Sequence, residues 1–190
     1  MSSKEITFKE KLKLALASTV RVISEDFDIK KNSDETKNLN KFDLFNFDNL
    51  NNLNDFVRVR AEADSTALKK KFSNDKIYRK NLPNNSNCKS LYAVAEKIRY
   101  ETLGGKMLKG IKKNFEDNYN QIVKLKKRDQ LKTKEDVPVN EAFELYMLKK
   151  FHNIKLNTLS QNTLDFWEKD FDLAIEKHID FLKENLKFQN

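Results

Sequence analysis

Glu96, Arg99 and Glu101 fall close together in the chain, beside Ala93, Ala95 and Ile98. On a helix, residues three apart are neighbours, so Glu96 and Arg99 can meet. An unpaired charge in an apolar setting costs several kcal/mol, so the two are expected to neutralise each other, with Arg60 or Asp64 of a neighbouring helix as further partners. Carboxylates this close can do acid–base chemistry. No nucleophile, ligand cluster or cofactor loop accompanies them, and the expected role is a structural polar network. Arg60 and Asp64 are four apart and can pair along a helix, a contact worth about 0.3–0.5 kcal/mol on a surface. Gly104, Gly105 and Gly110 surround a helix start and superficially resemble a phosphate cradle. No Gly-Lys-Ser/Thr follows, however, and a left-handed cap at Gly104-Gly105 with a close helix approach at Gly110 explains them better. Asn114 is polar on an apolar stripe, which suits a bond to a neighbouring backbone. His152 lies at an expected helix end, where a cation is favoured, and His178 stands alone on the last helix. Neither has companions for a metal site, and no Ser/His/Asp or Cys/His set can be assembled. Lys124, Lys126, Lys127 and Arg128 form the best patch for an anionic partner, although such runs are usually solvated.

The elements that position these residues are helical. Only three glycines and two prolines occur in 190 residues, too few for the turns of a sheet-rich fold. Apolar residues recur at three- and four-residue steps, which predicts helices over about 7–25, 54–72, 74–82, 89–103, 106–124, 140–151 and 161–186. Asn54 is the expected N-cap of the second. The 89–103 helix is apolar on several sides and therefore central. The expected stripe of the next helix carries Met107, Ile111, Asn114, Phe115, Asn118 and Ile122. Leu164, Trp167, Phe171, Ile175, His178, Phe181 and Leu182 mark the buried side of the last. The expected architecture is all-α: a single irregular bundle of about six helices over residues 1–190. A long Asn-rich loop (30–54) follows the first helix, and a charged linker occupies 124–138.

One cysteine, Cys88, excludes an internal disulfide and favours the cytoplasm. No apolar run approaches the roughly 18 residues of a membrane span. A formal charge of +8 can mean nucleic acid, acidic lipid or an acidic protein partner; it is spread among 29 acidic residues and lacks an arginine stripe, which disfavours nucleic acid.

Two segments carry a resemblance. Val59-Arg60-Ala61-Glu62-Ala63-Asp64-Ser65-Thr66-Ala67-Leu68 is similar to an Arg-Gly-x-Ala-Asp-x-x-Ala-Leu pattern. The segment from Ala95 to Asn114, with Glu96, Arg99, Glu101, Gly104, Met107, Gly110 and Asn114, is similar to a Glu-x-x-Arg-x-Glu-x-x-Gly motif continuing to Asn. Together they resemble the N-terminal region of the CobT subunit of aerobic cobaltochelatase, with looser agreement through Leu164, Trp167, Phe188 and Gln189. The chain departs from the pattern at Ala61, where the family tends to have glycine, and at Ser73 and Tyr78, where it has histidines. The resemblance implies a helical subunit of a three-part machine that uses ATP, magnesium and cobalt to load a corrin ring. Its partners would be a CobS-like AAA+ ATPase and a large chelatase subunit. No Asp-x-Ser-x-Ser motif occurs, so the expectation is an N-terminal region without the family's von Willebrand factor A domain. Arg60, Asp64, Glu96, Arg99, Glu101, Gly104, Gly110 and Asn114 then have structural or docking roles, with no catalytic residue and no metal ligand. The alternatives are an AAA+ adaptor for another client and a basic helical nucleic-acid binder using Lys124 to Arg128. A stand-alone enzyme ranks last.

Overall fold

The structure is a computed structural model that describes residues 8–26, 52–125 and 133–189. Most of the Asn-rich 30–54 segment lies outside the described residues, as do Lys126, Lys127 and Arg128. Every regular element among the described residues is helical. The chain divides into two compact units, Met1–Lys71 and Phe72–Asn190.

The first unit holds α1 (Phe8–Ser24) and nearly all of α2 (Leu53–Phe72). Leu16, Val20 and Ile23 of α1 are buried at steps of four and three, as an amphipathic helix requires. The buried residues of α2 are mostly small (Val59, Ala61, Ala63, Ala67) with Leu68, and Asp64 is buried among them. The start of α2 is capped by Asn52 rather than Asn54. The Asp55 N–H donates to Asn52 Oδ1 at 3.0 Å, and the Asn52 N–H donates to Asp55 Oδ2 at 3.2 Å. This reciprocal pair satisfies two N–H groups at once, in the manner of a capping box. The ends of α1 and α2 are joined by Lys70–Asp26, at 3.4 Å, and by Lys71–Glu25.

The second unit is built on α4 (Ser86–Met107), with α5 (Lys109–Leu125) and α6 (Val139–Phe151) packed along it. Before it comes the short α3 (Asp75–Lys80), capped by Asn74. After α6 follow α7 (Thr158–Asp165), α8 (Glu168–Ile175) and α9 (Ile179–Glu184). The expectation that the 89–103 helix is central holds, because Ile98 is fully enclosed and α4 packs on both α5 and α6. Asn85 accepts from Asn87 and Cys88, which starts α4 one turn before the predicted boundary.

On α5 the buried stripe is Ile111, Phe115, Tyr119 and Val123, spaced at fours. Met107 and Ile122, which the apolar pattern assigns to that stripe, are exposed. Tyr119 takes the place of Ile122 because its ring is apolar and its hydroxyl has a buried acceptor. Each such side chain contributes roughly 1.5–3 kcal/mol on burial.

The single helix expected over 161–186 is instead three, with a 3-10 turn at Glu176–His178. The first break is at Trp167, whose φ of −122° leaves the helical region. Its indole N–H donates to the Val137 carbonyl at 3.2 Å, and Lys134 sits 4.3 Å above the ring. That anchoring outweighs one lost turn of helix. Phe171 then packs edge-on to Phe143 and tilted against Tyr146, with ring centroids 5.4 Å from each. Beyond the second break the helical phase has slipped, so His178, Phe181 and Leu182 are exposed although the pattern assigns them to the buried side.

Candidate functional site

Glu96 and Arg99 project from one side of α4 and are nearly enclosed, with side chains 7% and 11% exposed. The guanidinium binds the carboxylate through two nitrogens, Nε at 2.7 Å and Nη2 at 2.9 Å. Its remaining reach is spent on main-chain carbonyls: Nη1 donates to Leu186 at 2.8 Å, and Nη2 also donates to Phe72 at 2.6 Å. Glu96 in turn accepts from the Ser73 hydroxyl at 2.5 Å and from the Gln189 amide at 3.0 Å. Gln189 also accepts from the Asn74 N–H. One ion pair thus ties together the end of α2, the cap of α3, the middle of α4 and the C-terminal segment.

The pair also borders a cavity of about 210 Å³, with mainly apolar walls from α4, α6, α9 and the residues after α9. An enclosed scaffold position was expected; the pair is nearly enclosed and also lies at the edge of a pocket. The cause is the break-up of the last helix, which lets Leu186, Phe188 and Gln189 fold back over α4.

Glu101 lies further along α4 and is 1% exposed. It accepts from the Tyr119 hydroxyl at 2.5 Å. Burial, with the adjacent Glu101 charge, raises the Tyr119 pKa well above its ordinary value, so the phenol stays protonated and donating. His152 packs edge-on to Phe115 and beside Tyr119, with ring centroids at 6.2 and 5.7 Å, and lies within 3.5 Å of Thr102. A favoured cation was expected at this helix end. Burial first, and then the charges of Lys97 and Lys112, together lower the His152 pKa to about 4 instead. Desolvation outweighs the helix terminus, and the ring is neutral.

The glycines differ most from their reading. No glycine has a positive φ among the described residues, and α4 runs through Gly104 and Gly105 to Met107. Their N–H groups face along the helix, and they form no phosphate cradle. The close approach is at Gly105, where an added Cβ would lie 3.4 Å from that of Lys112, whereas Gly110 has open space. Because Gly110 lies early in α5, Gly110→Ala is expected to stabilise the fold by roughly 0.5–1 kcal/mol, read as a higher thermal midpoint.

On α2, Arg60 is exposed and Asp64 buried, and the pair seen along the surface is Arg58–Glu62 at 2.9 Å. Asn114 is half-buried and Lys124 exposed. Among the described residues no three of His, Cys, Asp and Glu converge as metal ligands, and no helix is long and apolar enough to cross a membrane.

The family described as "Cobalamin biosynthesis protein CobT" matches residues 7–190, nearly the whole chain. The chain belongs to the CobT family. Among curated proteins and among solved structures, nothing matches it. In this CobT-family chain the three positions that depart from the pattern have local roles, and Ala61 is buried on α2. Ser73 bonds to Glu96, and Tyr78 stacks on Tyr92 with ring centroids 5.0 Å apart. The motif from Glu96 to Asn114 therefore divides in two. Glu96, Arg99 and Glu101 anchor other segments, whereas beyond them Gly105 lies where α4 comes close to Lys112 of α5 and Leu108 ends α4. Sequence reasoning missed Ser73, Tyr119 and Gln189 as their partners. For Tyr119 a signal existed, since its position continues the step of four from Ile111 and Phe115.

Proposed function

We propose that this CobT-family chain is a non-catalytic helical part of an ATP-dependent cobaltochelatase, which inserts cobalt into a corrin ring, and that it works by docking to the AAA+ ATPase or the large subunit. Family membership over residues 7–190 is the observation that carries this reading. The polar geometry supports it: the charges of the motif are spent on holding segments together. Arg99 meets a carboxylate and two carbonyls, Glu96 has three donors, and Glu101 has the Tyr119 hydroxyl. A polar network satisfied in this way rigidifies the packing around it. Nucleotide and magnesium would be bound by the ATPase, and cobalt and corrin are the substrates of the assembly.

The experiment is co-purification of the chain with the ATPase and with the large subunit, with and without ATP. A stable complex with one of them is the expected result. If it associates with neither in any nucleotide state, the docking role fails.

A further inference from the structure

The cavity beside Glu96 and Arg99 is lined by Ile98, Met147, Phe151, Leu182, Leu186 and Phe188, and its volume of about 210 Å³ suits one large side chain. The polar groups at its wall are already engaged. Arg99 and Glu96 hold each other, Gln189 spans Glu96 and the Asn74 N–H, the Asn185 amide donates to the Phe181 carbonyl, and the Tyr92 hydroxyl interacts with Asn81. A small-molecule site normally keeps a few polar groups free to fix its ligand. This one offers an occupant apolar burial alone.

The apolar surface also continues past the mouth. Leu182 and Phe188 line the cavity yet remain 39% and 66% exposed. An anchor pocket with an apolar margin is the anatomy of a protein-binding hot spot. One edge of the mouth is cationic. The Lys183 ammonium lies 5.9 Å from the Phe151 ring, and Lys106 donates to the Lys183 carbonyl. Among the described residues neither ammonium is paired with a carboxylate.

We propose that this cavity receives an aromatic anchor side chain from an acidic segment of a partner protein, the ring filling the pocket and adjacent carboxylates facing Lys106 and Lys183. This deepens the docking reading and rests on it.

The probe is a short acidic peptide with one central tryptophan, titrated onto the full chain by NMR with Met147 and Ile98 methyls as reporters. Shifts confined to the cavity are expected, with loss of binding when the tryptophan is alanine. Ala95→Leu, which narrows the cavity on α4, should weaken binding at least about tenfold, the scale of a filled hot spot. Lys183→Glu should weaken it several-fold at low salt and little at high salt. Binding unchanged by Ala95→Leu would overturn the pocket assignment. Equal binding of N-acetyltryptophanamide would instead mark a small-molecule site and overturn the docking assignment. The same variants in the co-purification assay separate the two claims. An intact subunit complex with Ala95→Leu leaves docking standing and removes the pocket, whereas no complex even with the unaltered chain removes docking itself.

Discussion

Arg99→Met is expected to cost about 3–5 kcal/mol of folding stability, the range for breaking a buried ion pair from one side. The loss has several parts. Glu96, 7% exposed, would be left with only Ser73 and Gln189 as donors and no cation beside it. The Phe72 and Leu186 carbonyls would each lose the donor that Arg99 supplies, and a buried acceptor left unmade costs about 1–3 kcal/mol. Urea denaturation checks this as a lower midpoint with an unchanged slope. Arg58→Met is the internal control. Its partner Glu62 is 41% exposed, and the cost of losing that surface pair should stay below about 1 kcal/mol. Arg99→Lys should fall between the two, because one ammonium cannot span a carboxylate and two carbonyls as a guanidinium fork does. The double variant Glu96→Gln with Arg99→Met should recover part of the loss by removing the stranded charge. If Arg99→Met costs less than about 1 kcal/mol, then water reaching Glu96 through the adjacent cavity does the work assigned here to the guanidinium.

The helical class and the central place of α4 were legible because few glycines and prolines interrupt the chain, and because a helix apolar on several sides has to be enclosed. The Glu96–Arg99 pair was legible for a local reason, since a spacing of three on a helix brings side chains together whatever the rest of the fold does. What spacing could not give was the rest of the network. Gln189 lies 93 residues from Glu96, and its contact exists only because the helix expected over 161–186 breaks twice. That break depends on Trp167 finding the Val137 carbonyl and the Lys134 ammonium, which no local pattern encodes. The cavity was hidden for the same reason. The glycine reading failed differently: a glycine pair suits a left-handed stop or a close helical approach equally well, and only the position of Lys112 decides between them. His152 failed because a helix end favours a cation only where water reaches it, and Phe115 and Tyr119 exclude water there.

His152 leads to the second large effect, a loss of stability on mild acidification. Its ring is buried against Phe115 and Tyr119, within reach of Thr102, and the charged groups that lower its pKa are the cations Lys97 and Lys112. Together they hold its pKa near 4, against 6.5 for an ordinary histidine. The sign follows from which state binds the proton. Above pH 6.5 the ring is neutral in both states and contributes no pH dependence. Between 6.5 and 4 the unfolded chain takes up a proton that the folded chain refuses, so stability falls as pH falls. Below 4 both states are protonated and the loss is complete. Each tenfold difference in proton affinity is worth about 1.4 kcal/mol, so the whole gap comes to roughly 3.5 kcal/mol. Thermal or urea midpoints measured at pH 7, 5.5 and 4 should therefore drop steeply, and His152→Gln should flatten that part of the profile. Carboxylates also titrate toward the lower end of this window, so the difference between the two proteins is the quantity to read. An NMR titration of the His152 ring supplies the direct check: a midpoint near 6.5 in the folded protein would mean that the ring is solvated and that the acid sensitivity has another source.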